Sequence, residues 1–253
     1  MDRWFFIHVM KTAGTSFRSM IEERLGPAVY PTDREVKAQP HGWYYDAEDL
    51  LARIGDGRID LSGRRVLCGH YAASLVERLP GSWRTVTFLR DPIARTLSSI
   101  GHRTKYKRGI PGFRRFHKVR ITEALDDPVF VENLVRNYQT KVFALGPEAD
   151  VNDAGPVDAA GFRRAKARLL AADVVGLTEQ LEPSVRLFER LSGLKVADEI
   201  AHVNRSARYS ATEEEVARIR ALVPYDLELY EIAREKLESQ VGASGGPPQA
   251  VGA

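Results

Sequence analysis

The sequence predicts an α/β fold: a single domain whose mostly parallel central sheet is flanked by helices. Three observations lead there. Short hydrophobic runs of strand length alternate with longer stretches of helical period along most of the 253 residues. The first run, Phe5 to Val9, passes directly into Lys11-Thr12-Ala13-Gly14-Thr15-Ser16, a polar turn that opens a helix. A later run, Thr85 to Leu89, passes into Arg90-Asp91-Pro92 and a second helix. Strands that each end in a turn and a helix are the pattern of a parallel sheet, because parallel neighbours need a crossover between them.

The elements follow in order. A strand over 4–9 leads to a helix at 15–25, where Phe17, Met20, Ile21 and Leu25 share one face until Gly26-Pro27 ends it. Residues 27–62 read as irregular and aromatic, with Trp43, Tyr44 and Tyr45 and a short helix near 46–54. Strands at 65–69, 85–89 and 173–177 complete the parallel core. Helices are predicted over 92–104, 122–145, 158–171, 181–192 and 212–239. Asp91 is the expected N-cap and Pro92 the first-turn proline of the first of these. Thr212 with Glu215 reads as a capping box for the last, which should break near Pro224. The domain is expected to span 1–240, and the Gly, Pro, Ala and Ser tail at 241–253 is expected to be disordered.

Two of the turns carry chemistry. Backbone N–H groups at a helix start attract anions, Gly14 allows close approach, and the hydroxyls of Thr12, Thr15 and Ser16 add donors while Lys11 adds a charge. A nucleoside-triphosphate loop needs Gly-x-x-x-x-Gly-Lys-Ser/Thr, with lysine after the glycines; Lys11 precedes Gly14, so that pattern fails. In the second turn, Arg90 at the strand end and Ser98 two turns into the helix can approach one anion from two sides. A planar guanidinium suits a dianionic phosphate. Taken singly, either turn also reads as an ordinary helix start.

Together, Lys-Thr-Ala-Gly-Thr-Ser and Arg-Asp-Pro-x-x-Arg-x-x-Ser resemble the 5′-phosphosulfate and 3′-phosphate sites of the sulfotransferases that use 3′-phosphoadenosine 5′-phosphosulfate (PAPS). The resemblance covers most of the chain and is closest to the glycan 2-O-sulfotransferase-like branch. It implies a P-loop-like sulfotransferase fold, with Lys11 to Ser16 (Ala13 and Gly14 included), Arg90 and Ser98 binding PAPS. Gly69-His70 is similar to that branch's strand-end segment, which implies His70 as general base; relatives often carry a second histidine where this chain has Cys68. Asp173 to Leu181 is similar to the family's fourth strand and its exit turn. Asn204, Arg205 and Ser206 fall where relatives have a loop closing over the nucleotide. Arg114 and Arg115, in Pro-Gly-Phe-Arg-Arg, resemble the glycan-binding loop, and Asn137 and Gln139 resemble an acceptor-side Asn-x-Gln-Thr helix. The implied reaction moves a sulfuryl group from PAPS to an acceptor hydroxyl on a carbohydrate or glycolipid, without a metal.

Composition bounds the rest. A net charge of +3 is small, but Arg103 to Arg120 holds eight basic residues and no acidic one, a local field suited to an anionic acceptor or a membrane surface. Nucleic acid is not expected, since no docking motif accompanies the charge. A single cysteine, Cys68, excludes an internal disulfide. The first strand starts too near Met1 for a signal peptide or anchor and no run of about 18 apolar residues occurs, so a cytoplasmic, bacterial enzyme is expected. No cluster of carboxylates, histidines or cysteines has metal-ligand spacing. Two other readings stay open: a non-catalytic PAPS or nucleotide-binding module, and a divergent P-loop nucleotide kinase.

Overall fold

The computed structural model describes residues 2–39, 44–105, 120–152, 154–200 and 210–242, without the side chains of 103–105. Trp43, Arg114, Arg115, Asn204, Arg205, Ser206 and the tail beyond 242 lie outside the described residues. Five strands form one sheet: β1 (Trp4–Ile7), β2 (Val29–Tyr30), β3 (Val66–Gly69), β4 (Arg84–Leu89) and β5 (Val174–Leu177). Their order is β2-β3-β1-β4-β5 and every pairing is parallel. β1, β3 and β5 are buried throughout, which explains why they read as unbroken apolar runs rather than alternating ones.

Around the sheet run α1 (Gly14–Leu25), α2 (Asp33–Lys37), α3 (Ala47–Gly55), α4 (Pro92–Lys105), α5 (Ile121–Leu125) and α6 (Pro128–Leu134). The chain continues through α7 (Tyr138–Ala144), α8 (Ala159–Ala171), α9 (Leu181–Ser192), α10 (Glu213–Leu222) and α11 (Pro224–Gly242). Among the described residues no helix is long and apolar enough to cross a membrane. An aromatic cluster fixes α1 to the sheet. Phe17 packs at 4.9 Å on Phe6 of β1, 4.6 Å on Phe88 of β4 and 5.1 Å on Phe188 of α9. Such contacts contribute about 0.5–1.5 kcal/mol each beyond their buried area. The start of α1 is thereby fixed relative to the ends of β1 and β4.

Three expectations need correction. The first strand ends at Ile7 rather than Val9, because Val9 N–H turns back onto the Ile7 carbonyl at 3.2 Å. Residues 27–62 hold two further elements, β2 and α2, the latter started by a Thr32/Glu35 capping box. The helix expected over 122–145 is three helices. Asp127 accepts from Val129 and Phe130 N–H and Pro128 begins α6, while Asn137, at φ 46°, turns the chain into α7. The helix over 212–239 divides at Val223 before Pro224, where a break was expected. The Asp91 cap is present, its carboxylate accepting from Ala94 N–H at 2.7 Å, as is the Thr212/Glu215 box.

Candidate active site

The sheet order itself selects a place. From β1 the chain builds β2 and β3 on one side, then crosses to build β4 and β5 on the other. In an open parallel sheet the crevice beyond the strand ends at such a reversal is where ligands bind. Here it lies between β1 and β4, whose registers match Ile7 with Thr87. The lysine loop leaves β1, the Arg90 turn leaves β4, and His70 leaves β3, paired to β1 through Ile7 and Gly69. Neighbouring strands are about 4.8 Å apart, so three segments distant in sequence emerge side by side.

The loop after β1 is built for its backbone. Lys11 and Ala13 both have positive φ, 70° and 62°, a conformation that non-glycine residues rarely hold. α1 begins at Gly14 with no side-chain cap, so the N–H groups of its first turn are presented at the loop rather than satisfied by the preceding residue. Gly14 is required for space: a Cβ there would fall 1.9–2.0 Å from Cδ2 and Nε2 of His8. Thr12 differs from expectation. Its hydroxyl donates inward to the Val9 carbonyl at 2.8 Å, holding the loop's shape instead of facing a ligand. Ser16 is buried and Thr15 exposed.

Two arginines join the turns. Arg90 Nη1 donates to the Lys11 carbonyl at 3.3 Å, and Arg95 Nη1 to the Met10 carbonyl at 3.5 Å. Arg95 is fully buried, its guanidinium 4.5 Å over the Tyr138 ring and its Nη2 donating to the Leu134 carbonyl. Burial disfavours its charge, and Asp226 opposes that effect. Arg90 is held differently. Gln139 accepts from its N–H at 3.0 Å and donates to its carbonyl at 2.8 Å, while its enclosed Nε has no hydrogen-bond partner among the described residues. Glu179 approaches that Nε to 4.0 Å and accepts from Asp91 N–H. A buried guanidinium nitrogen left without a partner fits an incoming anion. Ser98 lies on α4 one turn beyond Arg95 and is buried.

Asn137 and Gln139 have a different occupation from the acceptor contacts that the resemblance implied. Both are buried, at 5% and 0% exposure. Asn137 Oδ1 accepts from the N–H groups of Tyr225 and Asp226 at the start of α11. Asp226 in turn accepts from Gln139 and Thr140 N–H at the start of α7. The two helices cap each other, and the result is a fixed Gln139 that grips Arg90.

On the other flank, His70 Nδ1 lies 3.0 Å from the His8 carbonyl. A carbonyl only accepts, so Nδ1 carries the proton and Nε2 is the basic nitrogen. Burial, with the charges of Arg18 and Lys11, pulls the His70 pKa down to about 4 although the His8 hydrogen bond opposes this. The ring is therefore neutral at pH 7. Tyr44 meets it edge-on at 5.3 Å and is itself held by Arg18, which donates to the phenol oxygen at 2.7 Å. Cys68 faces the Pro31 carbonyl, and burial pushes its thiol up to about 12. Sequence reasoning missed His8, whose ring lies tilted 4.2 Å from His70 and stacks 5.1 Å from Phe6. As an expected strand residue it looked like a core position; a histidine inside an apolar run was the available signal. Among the described residues no three metal-ligating side chains converge. Comparison of the chain with models of known families and with curated proteins returns no match.

Proposed function

We propose that this chain is a sulfotransferase that moves a sulfuryl group from PAPS to an acceptor hydroxyl, on a carbohydrate or glycolipid. One observation carries the reading. Two turns of opposite design, one presenting uncapped backbone N–H groups and the other a guanidinium, flank the β1/β4 crevice and touch through Arg90 Nη1 and the Lys11 carbonyl. A nucleotide bearing phosphates at both its 3′ and 5′ positions presents two such anions on one rigid ribose. The loop of Lys11 to Ser16 would hold the 5′ side and Arg90 with Ser98 the 3′ phosphate.

PAPS supplies the activated sulfuryl group and a stable leaving group. The protein's own contribution is positioning and charge, as in phosphoryl transfer. Lys11 and the first-turn N–H groups of α1 stabilise negative charge where the donor's bridging oxygen separates. His70, neutral and proton-bearing at Nδ1, takes the acceptor proton at Nε2. Tyr44 forms one wall beside it. The roles of Arg114 and Arg115 toward an anionic acceptor, and of Asn204, Arg205 and Ser206 toward the nucleotide, rest on the resemblance alone.

The direct test is incubation of the protein with isotopically labelled PAPS and cell-extract glycans, glycolipids and small phenols, read by mass spectrometry. Transfer of label to a hydroxyl, lost in His70→Ala, supports the reading. No transfer to any fraction, with PAPS left intact, counts against an enzyme.

A further inference from the structure

The histidine at the end of β1 has no role in the scheme above, yet it stands between the loop and the base. His8 is 6% exposed, its ring stacked 5.1 Å from Phe6 and tilted 4.2 Å from His70. Its Nδ1 is enclosed and has no hydrogen-bond partner among the described residues. The opposite edge, Cδ2 and Nε2, overlies Gly14, the first residue of α1, so closely that no side chain larger than hydrogen fits there. A phenylalanine would fill such an apolar slot without leaving a nitrogen unsatisfied. The imidazole needs another explanation.

The tautomer supplies it. Burial, with the charges of Arg18 and Lys11 and the neighbouring His70 imidazole, holds the ring's pKa well below the ordinary range, so it is neutral and carries one proton. An enclosed N–H without an acceptor is the costlier arrangement, since buried donors are almost never left unpaired. The proton therefore belongs on Nε2, at the edge against the loop. There it joins the first-turn N–H groups of α1, which are donors too. An imidazole donor beside uncapped helix-start donors suits an anion oxygen. A neutral imidazole donor has an advantage over a charged one: it stabilises charge without risking proton loss to the substrate.

We propose that His8 is an anion-binding residue of the loop, donating from Nε2 to an oxygen of the phosphosulfate held by Lys11 and the start of α1. The inference rests on the PAPS reading and adds to it a contact from the residue that follows β1. It also gives Gly14 a second reason, since the imidazole edge occupies the space of a Cβ at that position.

The test uses PAPS itself, without acceptor, and two variants of similar length. His8→Gln can place an amide N–H close to the imidazole Nε2, whereas His8→Met removes the donor and keeps the bulk. In the wild type, PAPS should shift the nitrogen-15 and proton resonances of the His8 Nε2–H. His8→Met should weaken PAPS binding about 10-fold or more, the scale of one hydrogen bond to a charged group, and His8→Gln should recover most of that loss. An unmoved His8 resonance in wild-type protein saturated with PAPS overturns the proposal. So do equal affinities for wild type and His8→Met, or equal losses in both variants. Wild-type protein that does not bind PAPS at all overturns the PAPS reading, and His8 with it. The wild-type resonance needs no mutant to fold.

Discussion

The two turns that flank the β1/β4 crevice are built by opposite means. After β1 the turn presents its backbone: positive φ at Lys11 and Ala13 re-aims the chain, and α1 starts without a side-chain cap. After β4 the helix start is capped by Asp91, and the turn presents the Arg90 side chain. The first turn is supported locally, by the Thr12 hydroxyl on Val9 and the ring of His8 against Gly14. The second is supported from far along the chain, by Gln139, Glu179 and, through α7, Asp226. A backbone site is specified by its own few residues, whereas a side-chain site is only as well placed as the elements that hold its backbone.

The difference can be broken from either side. Lys11→Ala is expected to have the largest effect, lowering turnover with PAPS by about 10³-fold, because it removes the charge nearest the leaving oxygen. Nucleotide affinity should change much less, which steady-state kinetics beside calorimetry will separate. Phe17→Ala acts on both turns through the shared aromatic cluster and should cost about 3–5 kcal/mol of stability by denaturant titration. Gln139→Leu leaves the Arg90 N–H and carbonyl without their partner. It should cost about 1–3 kcal/mol and weaken a 3′-phosphorylated nucleotide more than AMP. If it weakens both equally, Gln139 does not act through Arg90.

The smallest effect concerns pH. His70 titrates at about 4 when folded and near 6.5 when unfolded, and His8 is also depressed. The unfolded chain therefore binds more protons between those values, so stability should fall as pH drops from 6.5 toward 4. The acid limb of kcat/KM should lie near 4 rather than 6.5, since His70 stays neutral down to that value. Thermal melts and rate profiles over pH 4–8 check the two statements independently.

Much of the β1 turn was legible in the sequence because its determinants are contiguous. Strand, lysine, glycine and hydroxyls stand in one run of residues, and the parallel α/β sheet follows from repeated strand-turn-helix units. The β4 turn was legible only at Arg90, Asp91 and Pro92. Gln139 was read as facing an acceptor because its segment resembles the Asn-x-Gln-Thr helix of the sulfotransferases, and only the tertiary fold shows it spent on Arg90. Helix boundaries failed for a similar reason. Asp127-Pro128 is a helix-start signature inside a helical period, and Asn137 becomes a cap only when α11 arrives beside it. His8 was missed because strand register, which brings it against His70, is not a property of either segment alone.

The central claim is that one crevice binds both ends of a doubly phosphorylated nucleotide, and a thermal-shift comparison tests it most directly. Wild-type protein and Arg90→Ala are melted with 3′-phosphoadenosine 5′-phosphate and with AMP at equal concentrations. The account predicts a much larger stabilisation of the wild type by the doubly phosphorylated nucleotide, with that difference abolished in Arg90→Ala while the smaller AMP shift persists. Equal shifts from the two nucleotides in the wild type would contradict it.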